Sequence, residues 1–318
     1  MVTTRSRRGG MWKVFSFVLV VALVAGVVWL AIPGNMHRAR DFFRDPAGAL
    51  GVRSAGYYAK SLAAFDLSDG EMFVSKVPDA TLPPASLAKL FVIEYASTIV
   101  KSDEIIDVSA SALRQVKPGS SVANIKPDLY VAKDLYAAML VPSGNDAAYA
   151  LTDWVGAKIA PSARSVEAKR EAFLSGLASH LKKRGYQHTV IKDPSGYDYQ
   201  GSSTATEIKD VTVRLLKFDW FRMIVKQTDY TATLPHGGTQ TWHNTNVYLD
   251  PHSPYYRPGV RGVKTGSLGD DYNLVVLYES KGKEFLVVSL GSETNEARYE
   301  DVAYVLNDID DSYYLHNK

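Results

Sequence analysis

The chain has 318 residues, of which 36 are basic and 34 acidic, for a net charge of +2; 46% are hydrophobic and none is cysteine. That length holds one large domain or two small ones, with enough apolar content for a sizeable core. The balanced charge offers no basic field for nucleic acid. The absence of cysteine excludes disulfides, thiolate zinc sites and a cysteine nucleophile.

Residues 1–13 are polar and basic, with Arg5, Arg7, Arg8 and Lys13. Val14 to Ile32 then runs nineteen residues without a charge, which at helical rise just spans a bilayer core of about 30 Å. The run is longer than the apolar region of a cleavable leader, and it ends in Ala31-Ile32-Pro33-Gly34 without a good cleavage site. It reads as a single-pass transmembrane signal anchor behind a cytoplasmic tail (1–13). Residues 33–52 read as a juxtamembrane spacer, and residues 53–318 as a folded domain on the outer side of the cell membrane.

The domain opens with a strand over Tyr57–Leu67, the hairpin signal Asp69-Gly70 and a partner strand at Met72-Phe73-Val74. Pro83-Pro84 stops what precedes it and suits the first turn of a helix, which the apolar run from Ala85 carries to about Val100. Lys117 to Ser121 is a loop. Helices are expected at Val131–Leu140, Asp146–Ile159, Val166–Arg184 (stopped by Gly185) and Thr206–Lys217, with a turn at Asp193-Pro194-Ser195-Gly196. Strands follow at Gly259–Val263, Tyr272–Tyr278 and Glu284–Leu290, then a closing helix over Asn295–Asp308. Strands from both chain ends bracket a helical middle, so an α+β fold with an antiparallel sheet is the natural assembly.

Three short motifs carry chemistry. Ser86 and Lys89 stand three residues apart at a helix start and share one face. A serine hydroxyl is a weak nucleophile without a base, and a lysine becomes one when burial or a neighbouring cation disfavours its charged form. Ser179/Lys182 and Ser280/Lys283 have the same spacing; only Ser86 has apolar flanks, a helix start and two further motifs downstream. Ser143-Gly144-Asn145 lies between two helices and offers a second hydroxyl and an amide. Lys264-Thr265-Gly266-Ser267 falls at the end of a strand beside a turn. There an edge can meet an extended peptide, Lys264 adds charge, Thr265 a hydroxyl and Gly266 close backbone approach.

In this order, with their flanks Pro84-Ala85-Ser86-Leu87-Ala88-Lys89, Pro142-Ser143-Gly144-Asn145-Asp146 and Gly262-Val263-Lys264-Thr265-Gly266, the motifs resemble the penicillin-recognising serine hydrolases. Within them the chain resembles the serine-type D-alanyl-D-alanine carboxypeptidases, the low-molecular-mass penicillin-binding proteins. Weaker echoes are Asp193-Pro194-Ser195-Gly196, Ser203-Thr204-Ala205 and Ala297-Arg298-Tyr299. The resemblance implies a five-stranded antiparallel sheet flanked by helices, with a helical subdomain. It implies that Ser86 forms an acyl-enzyme, with Lys89 as base and Ser143 passing a proton to the leaving nitrogen under the influence of Lys264. Asn145, Lys264, Thr265, Gly266, Ser267 and Arg298 would bind substrate. Thr265 and Arg298 would take the terminal carboxylate, and backbone N–H groups of Ser86 and Ser267 the oxyanion. The implied partners are peptidoglycan stem peptides ending in D-Ala-D-Ala and, as covalent inhibitors, β-lactams. No metal or cofactor is implied.

Two departures stand out. The family's lysine motif is often followed by an aromatic residue or histidine, where this chain has Ser267. About ten residues follow the last expected helix, so the C-terminal β-domain of many members is expected to be absent. Other readings differ by residue. A class A β-lactamase would need a Glu-x-x-x-Asn after Ser143, and a Ser-His-Asp hydrolase a Gly-x-Ser-x-Gly elbow; neither motif is found. The histidines show no metal spacing. A homologue that acylates but turns over too slowly to matter needs the same residues, and only product release separates it.

Overall fold

The computed structural model describes residues 57–317. The expected tail, anchor and spacer lie outside these residues; among the described ones, no helix is long and apolar enough to cross a membrane.

The chain opens with strands β1 (Ser61–Asp66) and β2 (Met72–Lys76), an antiparallel hairpin turning through Gly70. A 3-10 turn, Ala85–Leu87, runs straight into helix α1 (Ala88–Ala96). Next come β3 (Ile105–Asp107), the single turn α2 (Ala110–Leu113) and β4 (Leu129–Val131), which pairs with β3. Helices α3 (Ala132–Leu140), α4 (Asn145–Ile159), α5 (Val166–Arg184), α6 (Ala205–Leu215) and α7 (Asp219–Val225) make up the middle. A hairpin of β5 (Asp229–Thr233) and β6 (Thr239–His243) leads to a 3-10 turn at Val247–Leu249. Strands β7 (Val260–Leu268), β8 (Asp271–Ser280) and β9 (Lys283–Ser292) follow, then α8 (Asn295–Asp311) and a short last helix, α9 (Tyr313–Asn317).

The main sheet has five strands in the order β2-β1-β9-β8-β7, every neighbour antiparallel. Strands from the two chain ends meet at its centre, where Ala63 of β1 faces Val288 of β9. Both faces are covered. Ala63, Phe65, Val275, Leu277, Leu286 and Val288 join the helical core, while their alternates Leu62, Ala64, Leu274, Val276 and Val287 are just as buried. Period-2 side-chain alternation thus puts apolar residues on both sides, and the strands read as nearly continuous hydrophobic runs.

Helix α1 is central for the same reason. Every residue from Ala88 to Ala96 is buried, Lys89 and Glu94 included. A helix that is apolar all round belongs inside. Each of Leu90, Phe91, Val92 and Ile93, fully buried, contributes about 1.5–3 kcal/mol. The Ser86/Lys89 motif therefore starts the most enclosed helix of the fold.

The expected α5 is found with the same bounds. The Ser165 hydroxyl accepts from Ala168 N at its start, and Gly185 ends it at φ +84°. Two expectations are corrected. The helix proposed from Ala85 to Val100 begins as a 3-10 turn and ends at Ala96. The strand proposed for Gly259–Val263 continues to Leu268, so Lys264–Ser267 lie inside β7 and the turn comes after them. Pairing with β8 from Val263 to Leu268 carries the strand through its glycine.

Candidate active site

Ser86 occupies the 3-10 turn whose entry is pinned from two sides. Leu82 exchanges both backbone hydrogen bonds with Ser203 at 2.9 Å, and Asn273 Nδ2 of β8 donates to the Pro83 carbonyl at 3.0 Å. Ala85 is then held at φ +49°, a left-handed conformation that costs a non-glycine residue about 1–3 kcal/mol. The 3-10 turn runs straight into α1, and residues three apart along this continuous helical stretch share one face. The Ser86 hydroxyl accordingly lies 2.8 Å from Lys89 Nζ.

Lys89 has no exposed surface. Its Nζ donates to Ser86 Oγ at 2.8 Å, to Asn145 Oδ1 at 2.8 Å and to the Ser195 carbonyl at 2.7 Å. Burial pushes its pKa down to about 7 against the opposing pull of Asp193 and Asp146. Asn145 is the first residue of α4, and its backbone N–H donates to the Ser121 carbonyl at 2.9 Å. Asp146, beside it, accepts from Ala123 N at 2.8 Å and Ile125 N at 3.0 Å, which holds the 121–125 loop against the start of the helix. Ser143 precedes this start at φ +64° and is buried. Gly144 has no room for a side chain: a Cβ there would meet Ala123 Cβ at 2.7 Å and the Ala138 carbonyl at 2.8 Å.

Strand β7 closes the other side. A Cβ on Gly266 would sit 3.0 Å from the Pro84 carbonyl and 3.3 Å from Leu87 N, so the strand backbone lies directly against the Ser86 turn. Lys264 is fully buried, and its Nζ donates to the Thr265 carbonyl at 2.9 Å. Burial, then Lys89 and Arg298, drive its pKa well below the ordinary lysine value. The Thr265 hydroxyl pairs with that of Thr245 at 2.6 Å. Ser267 is exposed on the strand, and Arg298 NH1 reaches its hydroxyl at 3.3 Å.

Arg298 is placed differently from an open carboxylate fork. It is buried, and NH1 donates to the Gly266 carbonyl at 3.2 Å and the Asn273 carbonyl at 3.1 Å, while NH2 donates to Asn295 Oδ1. The guanidinium braces β7 and β8 from α8 and puts positive charge behind Ser267. The other two Ser-x-x-Lys matches lie elsewhere. Ser179 bonds the Ser175 carbonyl on an exposed helix face, and Ser280 bonds Asp310.

Two groups of contacts were missed at sequence level. Thr245 donates its backbone N–H to the Val141 carbonyl at 3.0 Å and holds the Thr265 hydroxyl, tying the Ser143 turn to β7. Nothing in Asn244-Thr245-Asn246 marks this role. The turn Asp193–Gly196 was legible as a turn, but not that it underlies Lys89. Gly196, at φ +80°, abuts the Ser86 turn so closely that a Cβ would fall 1.9 Å from the Ala85 carbonyl oxygen.

The assembled pair of buried lysines, two serines and an asparagine between a helix start and a sheet edge can activate a hydroxyl and hold an extended chain along β7. A family model described as D-alanyl-D-alanine carboxypeptidase matches residues 50–294. The chain belongs to the D-alanyl-D-alanine carboxypeptidase family of serine peptidases. The D-alanyl-D-alanine carboxypeptidase DacC of Escherichia coli is 26% identical over 79% of this chain and 60% of its own length. A D-alanyl-D-alanine carboxypeptidase of a Streptomyces strain is 26% identical over 82% of this chain and 92% of its own. In three dimensions the Streptomyces DD-transpeptidase matches with a TM-score of 0.70 at 25% identity, over 79% of this chain and 96% of that one. Penicillin-binding protein D2 of Listeria monocytogenes, in its ampicillin-bound form, shares the fold at 22% identity and a TM-score of 0.62.

Proposed function

We propose that this family member removes the terminal D-alanine from peptidoglycan stem peptides through an acyl-enzyme on Ser86. The observation that carries the reading is the set of acceptors around Lys89. As an ammonium it donates to all three. As a neutral amine it has two N–H groups, which the fixed oxygens of Asn145 and Ser195 take up, and its lone pair turns to the Ser86 hydroxyl. With a pKa near 7 the neutral form is populated at working pH. Lys89 takes the proton as Ser86 attacks the carbonyl of the penultimate D-alanine. The backbone N–H groups of Ser86 and Ser267 receive the oxyanion, an effect worth about 3 kcal/mol per donor in other enzymes. Ser143 relays that proton, giving its own to the leaving nitrogen as it takes one from Lys89, with Lys264 tuning it; Asn145 orients the substrate amide. The substrate lies extended along β7, where Thr265 and Ser267, with Arg298 behind them, meet its terminal carboxylate. Water then releases the shortened stem. A β-lactam meets the same nucleophile and is bound covalently.

Ser86→Ala tests this. Both D-alanine release and labelling by a fluorescent penicillin should disappear; full labelling of the alanine variant would rule out Ser86 as nucleophile.

We also place the domain outside the cytoplasmic membrane, tethered by Val14 to Ile32. The support is the uncharged run behind an arginine cluster. Protease added to spheroplasts should remove the domain and spare a cytoplasmic control; equal protection of the two would reverse the orientation.

A further inference from the structure

The Ser195 carbonyl that receives Lys89 belongs to a turn built around one buried carboxylate. Asp193 Oδ1 accepts from Ser195 N at 2.8 Å and from Ser195 Oγ at 2.5 Å. Its Oδ2 accepts from the Tyr149 hydroxyl of α4 at 2.6 Å and faces Lys117 Nζ at 3.5 Å. Asp193, Ser195 and Tyr149 are all more than nine-tenths buried. Lys117 is half-exposed, and it also donates to the Tyr197 carbonyl at 3.0 Å, on the same turn. A buried carboxylate with this many donors does not reorient, and neither does the peptide that it clasps.

We infer that Asp193 is the positioning residue for Lys89: held by Tyr149 and Lys117, it fixes the Ser195 carbonyl that orients the amine toward Ser86. The inference rests on the reading of Lys89 as proton acceptor. It assigns the turn two effects. The first is directional, because a loose Ser195 carbonyl would let the amine rotate away from Ser86. The second is electrostatic, because the carboxylate favours the charged form of Lys89. Burial works against the charge of Asp193, but hydrogen bonds from Ser195 and Tyr149 outweigh it and hold its carboxyl below the usual range. The other charges in play are Asp146 of α4 toward Lys89, Lys264 of β7, which couples to Lys89, and Arg170 of α5, which acts on Tyr149. Lys117 is the exposed end of the arrangement and partly offsets Asp193.

Two substitutions move the system in opposite directions. Acylation needs neutral Lys89, so its rate climbs with pH through the apparent pKa of that amine. Asp193→Asn removes the negative charge, the proton leaves more easily, and the acid limb moves to lower pH by about 0.5–1 unit. Lys117→Met removes the offsetting cation, and the limb moves to higher pH by a few tenths of a unit. The readout is the rate of fluorescent-penicillin labelling of the full chain between pH 5 and 9, with thermal melting as a folding control. Opposite displacements support the inference. A purely structural turn would lower the plateau and leave both limbs in place, and limbs that stay or move together overturn it. If Asp193→Asn does not fold, Lys117→Met decides alone: an upward shift supports the inference and an unmoved limb overturns it. Lys89→Met separates this from failure of the underlying reading, since wild-type labelling by that variant would remove Lys89 as the base whatever Asp193 does.

Discussion

Lys89 donates to the hydroxyl of Ser86 at 2.8 Å from a side chain that no solvent touches. In the proposed mechanism burial is what fits Lys89 to act as base: an exposed lysine near its ordinary pKa would be almost wholly protonated at neutral pH and could not accept a proton.

The wild-type enzyme should therefore acylate slowly in acid and faster as pH rises through about 7, where Lys89 loses its proton. The second-order rate of penicillin labelling should fall about tenfold per unit below that limb. Lys89→Arg, which stays charged at every working pH, should lose labelling by more than about 100-fold. A flat profile from pH 5 to 9 would contradict a lysine base.

Gly196 is the position where the smallest added group should do the most harm. Its φ of +80° disfavours any side chain, and a Cβ would fall 1.9 Å from the Ala85 carbonyl oxygen, inside the Ser86 turn. Gly196→Ala should cost about 2–4 kcal/mol of stability and at least tenfold in labelling rate. Gly185→Ala is the control. It is also left-handed, at φ +84°, but nothing lies within 4 Å of its Cβ, so it should lose less stability and label normally. Urea unfolding and labelling of both variants measure the contrast.

Thr245 bridges the Ser143 turn and β7 through the Thr265 hydroxyl, 2.6 Å away. Thr245→Val keeps the shape and removes the hydroxyl. It should raise KM for a peptide ending in D-Ala-D-Ala by about three- to tenfold while kcat changes less than threefold, because the lost bond orders a binding group. A fall in kcat at constant KM would place Thr245 in the chemical step instead.

The part of this site that could be read in the sequence is local. Ser86 and Lys89 are brought together by a single turn, and Ser143 and Asn145 by the start of α4; local spacing joins each pair, and the order of the three motifs with the family resemblance singles them out. Lys264 to Ser267 are legible as a motif; their place inside β7 follows from pairing with Tyr272–Val275 of β8 across the two-residue turn Gly269-Asp270, a hairpin signal that the motif-based reading does not use. The hairpin β5–β6 escaped notice. Its exposed Thr231, Thr233, Thr239 and Thr241 alternate with inward Tyr230, Ala232 and Trp242, too few apolar positions to stand out as a strand pattern, and it is held by long-range bonds such as Trp242 Nε1 to the Ala123 carbonyl at 2.8 Å. Arg298 was expected as a carboxylate fork; its burial among the carbonyls of Gly266 and Asn273 follows from how α8 lies on the sheet.

The central claim is that Ser86 is acylated and that the acyl group then leaves at a rate set by the substrate. Acylation needs only the nucleophile, its base and the oxyanion donors. Fast release of a penicilloyl group also needs a positioned base for water, and its lack, at 10²–10⁴-fold, would raise the barrier by about 3–5.5 kcal/mol. One preparation should be mixed in parallel with benzylpenicillin and with a peptide ending in D-Ala-D-Ala, with intact mass and released D-alanine followed over time. A long-lived penicilloyl adduct on Ser86 together with repeated D-alanine release is the predicted result. Rapid β-lactam hydrolysis with no accumulated adduct and no D-alanine release would make the protein a lactamase and contradict the account.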